Sequence, residues 1–131
     1  MSTELTILAW TLVLAIFQVL LAAQARGRRN GIGYSAGSRD TPPEEDIVAG
    51  RLRRAQANLF ETLPLFAAAV LIAHVADREG ALTLWGAWLF LAGRVLYVPF
   101  YALGISYARS AVWTVAFVGL CLVLAAILWP W

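Results

Sequence analysis

Four long apolar runs, almost without charge, constrain this chain more than anything else in it. Leu5 to Ala25 holds no charged residue. About 20 apolar residues in a helix are enough to cross the hydrocarbon core of a bilayer. Leu59 to Ala76 is interrupted by Glu61 and Pro64, and Ala81 to Gly104 carries one charge, Arg94. Tyr107 to Trp129 has none after Arg109. Soluble domains are about 45–50% apolar and about 25% charged, whereas this chain of 131 residues is 61% hydrophobic and 14% charged. Its apolar surface is too large to hide from water, so the expected fold is all-α. The expectation is one integral membrane domain over 1–131, a four-helix bundle with spans near 5–25, 55–76, 81–104 and 107–129. A cleaved signal peptide needs a basic segment before its apolar core. Here Glu4 and no base precede the first run, so a retained helix is expected. The six tryptophans fall mostly near span ends, where interfacial anchors sit.

Between the runs, the connections are unequal. Short segments around Asp77–Gly80 and around Ile105 and Ser106 join the later spans. The first connection, about 26–41, reads as a long polar loop. Its Gly31, Gly33 and Gly37 lack the strand–turn–helix setting of a nucleotide site and read as flexible linker. Thr41, Pro42 and Glu44 read as an N-cap, first helical residue and capping-box acid. On that reading helix 2 runs from Pro42 to Ala76, about 50 Å at 1.5 Å per residue.

All ten basic residues are arginine, and seven of them lie between Arg26 and Arg54. The positive-inside rule puts this side in the cytoplasm and both termini outside it. A net charge of +2 is too small for nucleic-acid binding by bulk electrostatics. The single cysteine, Cys121, excludes an intrachain disulfide and reads as a buried, inert thiol. Metal-ligand spacing is absent, as is any serine–histidine–acid arrangement. His74, near the outer end of helix 2, reads as a packing or interface residue.

Ionisable residues inside spans are costly and mark function. Arg51, Arg54, Asn58 and Glu61 are spaced three, four and three, which puts them on one helical stripe. Arg94, Tyr97 and Tyr101 form another. Similar depths make a Glu61–Arg94 contact reasonable, with Pro64 free to kink the helix nearby. A polar network that only fixes helix register is the plain alternative. Yet Arg26, Arg51, Arg54, Arg94 and Arg109 exceed the nearby acid. Guanidinium binds carboxylates through paired hydrogen bonds, so this surplus suits an anionic ligand.

The segment Arg51-Leu52-Arg53-Arg54-Ala55-Gln56-Ala57-Asn58-Leu59-Phe60-Glu61-Thr62-Leu63-Pro64 resembles the helix-2 signature of the MAPEG family. These are membrane-associated proteins in eicosanoid and glutathione metabolism. Gly93-Arg94-Val95-Leu96-Tyr97-Val98-Pro99-Phe100-Tyr101 resembles the family's helix-3 segment, and Arg109 a third element. Ala57 stands where some members carry arginine, and Tyr97 where many have histidine. The resemblance, to a bacterial-type member, implies a homotrimer in the inner membrane. It implies glutathione as co-substrate, held between protomers, and a lipophilic second substrate from the bilayer. Arg54, Asn58, Glu61, Arg94 and Tyr101, with Arg26, are the implied glutathione-facing set, and Arg109 the arginine that steadies the thiolate; Arg51 and Tyr97, on the same stripes, are expected to join the binding set. The implied activity is glutathione transfer to electrophiles or reduction of lipid hydroperoxides. The rivals are a noncatalytic membrane protein built around the polar cluster and a small four-span transporter. The transporter ranks last because helix 1 has no acid within its apolar run.

Overall fold

The computed structural model describes residues 1–37 and 46–129, and for 28–36 the backbone alone. Four helices follow one another: α1 Thr3–Ala36, α2 Ile47–Val75, α3 Ala81–Ala102 and α4 Ser106–Leu128. No strand occurs among the described residues. Each helix contains a stretch long and apolar enough to cross a membrane. A helix satisfies its own backbone in hydrocarbon, which an open strand cannot do. The bundle therefore has an arginine end, where α1 and α3 finish and α2 and α4 begin. The opposite end holds Ser2, the Asp77 turn and Trp129.

The first connection departs from expectation. The segment expected to loop from residue 26 continues as helix to Ala36, through Gly27, Gly31 and Gly33. No proline interrupts Thr3–Ala36, and extending a formed helix costs far less than nucleating one. The spanning part of α1 is Thr3–Gly27, so its last nine residues run beyond that stretch. Helix α2 also starts later than expected. Asp46 is extended (φ −77°, ψ 177°) and its carboxylate accepts from the Ala49 amide at 2.7 Å. That is N-cap geometry. The capping box expected at Thr41 and Glu44 lies outside the described residues.

Helices α3 and α4 form the tightest pair. A Cβ on Gly86 would stand 2.6 Å from the Gly119 carbonyl oxygen, and one on Gly93 2.7 Å from that of Val112. Small residues let backbones approach closely in a solvent where apolar burial gives little drive. Phe66 and Phe90 stack at 4.0 Å between α2 and α3, at the centre of a core that includes Ile7, Leu59, Val70, Leu120 and Val123. Much of the remaining apolar surface faces outward, from Trp10 and Ile16 to Leu71 and Val118. Cys121 is among the exposed residues, not buried as expected. Helix α4 packs on one side only, so a mid-span position can still face out.

At the end opposite the arginine cluster, polar contacts tie α1 to the α2–α3 turn. The Ser2 hydroxyl donates to Glu79 at 2.7 Å, and Thr83 donates to the buried Glu4 at 3.1 Å. His74 contacts Glu79 at 3.2 Å. Burial alone would raise the Glu79 pKa. Hydrogen bonds to Ser2 and His74, with the His74 charge, outweigh that and hold it below the usual 4.5.

Candidate functional site

The α3–α4 turn sets the geometry of the arginine end. Gly104 has φ +74°, a left-handed conformation that glycine adopts without a Cβ clash. The space a Cβ would take is filled by the Arg51 guanidinium, whose carbon and both terminal nitrogens stand 2.8 Å from that point. Arg51 Nη1 donates to the Ala102 carbonyl at 3.3 Å, across from α2 to the last turn of α3. Helix α4 then begins, bringing Arg109 one turn in.

Tyr101 is the hub of the cluster. Arg54 Nε donates to its hydroxyl at 3.2 Å. Arg109 lies over its ring, 4.7 Å from the centroid. Tyr97 meets it edge to face at 5.4 Å. Cations favour the faces of aromatic rings because the ring quadrupole is negative there. Deeper in, Arg94 Nη1 donates to Asn58 Oδ1 at 2.7 Å, and its guanidinium lies 4.3 Å from the Tyr97 centroid. Arg94 is 1% exposed, and its Nε and Nη2 have no hydrogen-bond partner among the described residues.

Two cavities share Tyr101 and Arg109 as a wall. One, of about 170 Å³, is lined by Arg51, Arg54, Tyr101, Gly104, Ser106 and Arg109. The other, of about 330 Å³, is lined by Asn58, Tyr97, Tyr101, Arg109, Ser110, Trp113 and Thr114. Neither lining contains an acid. The first can therefore take an anion, and the second a mixed polar and aromatic group. A larger hollow of about 400 Å³ lies at the opposite end, lined by Asp77 to Leu82 and Ala126. Its lining holds two acids beside one arginine, so it lacks this surplus of cations. No group of three or more histidine, cysteine, aspartate or glutamate side chains suited to a metal ion occurs among the described residues.

Six of the nine residues singled out in the sequence line these cavities: Arg51, Arg54, Asn58, Tyr97, Tyr101 and Arg109. Arg94 sits behind them, against Asn58 and Tyr97. Arg26 is half-buried on α1 and lines neither cavity. Glu61 is exposed on α2, and the expected Glu61–Arg94 contact is not made; Asn58 accepts from Arg94 instead. Three residues advance a helix by about 300° at 3.6 residues per turn. With Asn58 turned toward α3, Glu61 is rotated out of that interface. Ser106, Ser110, Trp113 and Thr114 were missed. The signal for Trp113 was its spacing of four from Arg109, which put both on one face of α4 and marked more than an interfacial anchor.

Neither the curated proteins nor the solved structures contain a significant match to this chain. The model of the MAPEG family matches residues 5–129, nearly the whole chain and all four spans, and the chain belongs to that family.

Proposed function

We propose that this chain is a glutathione-dependent membrane enzyme acting on lipophilic substrates. Membership of a family of membrane proteins in glutathione-related metabolism supports the general class. The observation that carries the reading is the pair of cavities walled by Tyr101 and Arg109, one cationic and one partly aromatic. Glutathione is a dianionic tripeptide at its carboxylates and carries a nucleophilic sulfur. Arg54, with Arg94 behind Asn58, supplies charge for the carboxylates, and Tyr101 a hydroxyl. Arg109 stands beside the place for the thiol. A nearby cation lowers a thiol's pKa and raises the thiolate fraction.

In a transfer, the thiolate sulfur forms a bond to an electrophilic carbon. The carbon's displaced electron pair then takes a proton or leaves with its group. In the peroxidase variant, the thiolate attacks the outer oxygen of a hydroperoxide, releasing the alcohol and a sulfenic acid. A second glutathione converts that acid to disulfide and water. The protein's own thiol takes no part, which accords with Cys121 lying on the outer surface. The proposal includes a homotrimer in the bacterial inner membrane. The arginine end faces the cytoplasm and both termini face away from it, as the positive-inside rule directs. Glu61 supports assembly, because a carboxylate exposed on a spanning helix gains from a protein neighbour.

The test is glutathione-dependent turnover by the purified protein. Positioned charge of this kind contributes about 10²–10³ in rate, so Arg109→Ala should fall by that factor. Equal turnover by both proteins removes Arg109 from the mechanism. A titration with glutathione that shows no saturable binding removes the reading itself.

A further inference from the structure

Arg51 shares its helical stripe with Arg54 and Asn58, yet its guanidinium is engaged differently. It reaches across from α2 to the Ala102 carbonyl at 3.3 Å, one of the last carbonyls of α3. A terminal carbonyl has no partner within its own helix, and an arginine there also meets the negative end of the helix dipole. The guanidinium lies flat in the place a Gly104 side chain would take, with three of its atoms 2.8 Å from that point. Gly104 is left-handed, at φ +74°. One residue thus touches both the end of α3 and the turn that launches α4. Arg109 follows that turn by five residues and lies over the Tyr101 ring on α3. The angle between the end of α3 and the start of α4 fixes where Arg109 points.

We propose that Arg51 is a positioning residue: it staples α2 to the α3–α4 turn and so holds Arg109 over Tyr101. Gly104 is the other half of the staple, since its missing side chain makes the seat. This inference deepens the glutathione reading, on which its functional arm rests, but its structural arm does not depend on that reading. It separates Arg51 from Arg54, whose Nε binds the Tyr101 hydroxyl directly.

The experiment is hydrogen exchange on the full chain in lipid nanodiscs, for wild type, Arg51→Ala, Arg51→Lys and Gly104→Ala. Losing a charge-assisted hydrogen bond at a local opening is expected to speed exchange of the 104–109 amides about tenfold. Arg51→Ala should show that acceleration with α1 near Thr11 unaffected. Gly104→Ala keeps the charge, displaces it and strains the left-handed turn, and should accelerate the same amides at least as much as Arg51→Ala. Arg51→Lys retains one donor for Ala102 and should restore protection at least in part. The functional arm reads the ultraviolet absorbance of bound glutathione thiolate against pH. Arg51→Ala should lower the thiolate fraction about tenfold, a shift of about one pKa unit, with recovery in Arg51→Lys. Turn protection equal to wild type in Arg51→Ala overturns the proposal, whatever Gly104→Ala shows, because a side chain at φ +74° strains the turn by itself. So does a loss of glutathione affinity in Arg51→Ala with thiolate fraction and turn protection unchanged, which would make Arg51 a ligand contact. If wild type binds no glutathione, the functional reading fails and the exchange arm alone decides the staple.

Discussion

Asn58→Ala gives the most searching test of the polar interior. Arg94 is 1% exposed, and Nη1 to Asn58 Oδ1, at 2.7 Å, is its one short hydrogen bond. Nε and Nη2 have none among the described residues. Truncating Asn58 removes the acceptor and leaves the buried cation without a hydrogen-bond partner among the described residues. A hydrogen bond to a charged group is worth about 1.5–3 kcal/mol. The Tyr97 ring face remains, at 4.3 Å, and retains part of the stabilisation. The expected destabilisation is therefore about 2 kcal/mol. Replacing both partners, Asn58→Leu with Arg94→Met, removes the buried charge along with its need. That double variant should recover most of the loss, because well-packed apolar pairs often match or exceed buried polar ones. The assay is reversible unfolding in bicelles, completed as a double-mutant cycle with Arg94→Met. A change below about 0.5 kcal/mol for Asn58→Ala, the range of ordinary surface substitutions, would refute the argument. It would mean that the guanidinium swings to another acceptor, and that the 2.7 Å contact does not hold Arg94 in place.

Three further outcomes follow from the same geometry. Gly93→Ala forces a Cβ to within 2.9 Å of Ala116 and 2.7 Å of the Val112 carbonyl. It should cost about 1–3 kcal/mol, the usual range for overpacking, measured by the same unfolding assay. Glu79 has a folded-state pKa below 4.5, so its contribution to stability is complete above the unfolded value and disappears as pH falls through the folded one. Acid titration of stability below about pH 5 should show this decline in wild type and a shallower one in Glu79→Gln; identical curves would refute it. Glu61→Gln should weaken self-association, read by cross-linking in nanodiscs, while leaving protomer helicity unchanged by circular dichroism. Unaltered oligomers would assign Glu61 no role in assembly.

The four spans were legible because lipid-facing helices need little beyond continuous apolar sequence, and Ala81 and Ser106 fall within a residue of the expected starts. The ends in water were not. Gly31 and Gly33 read as linker, yet a helix already formed passed through them. Asp46 was passed over as a cap, although its carboxylate reaches the Ala49 amide. Within the site, the stripe on α2 identified the right helix but not the right neighbours. A stripe spacing of three to four residues is about 60° wide or more, enough to separate Asn58, which meets Arg94, from Glu61, which does not. The α4 lining of Ser110 and Thr114 was illegible for another reason, although Trp113 could have been placed by its spacing from Arg109. Helix α4 is apolar nearly all round, so periodicity could not say which face meets α3.

The charges at this depth carry an implication that no single contact does. Arg94 lies eight residues before the end of α3, about 12 Å at 1.5 Å per residue, and its Nε and Nη2 have no partner among the described residues. Glu61 is less than one turn beyond Asn58 on α2 and faces outward. The chain thus holds a buried cation and an exposed carboxylate at similar depth that do not contact each other. In hydrocarbon each would be expensive alone. Had the fold needed only internal stability, turning α2 by about 60° would have carried Glu61 toward the direction Asn58 takes, at the expense of the Asn58 contact. The arrangement makes sense if each charge is completed from outside the protomer. On the proposed function, the cation behind Asn58 would be completed by the carboxylates of a ligand entering over Tyr101 and Arg109, and the outward acid by a neighbouring chain. On this argument the polar cluster is unfinished by design of the fold, and ligand binding and assembly should each stabilise the protein by mass action, through different residues.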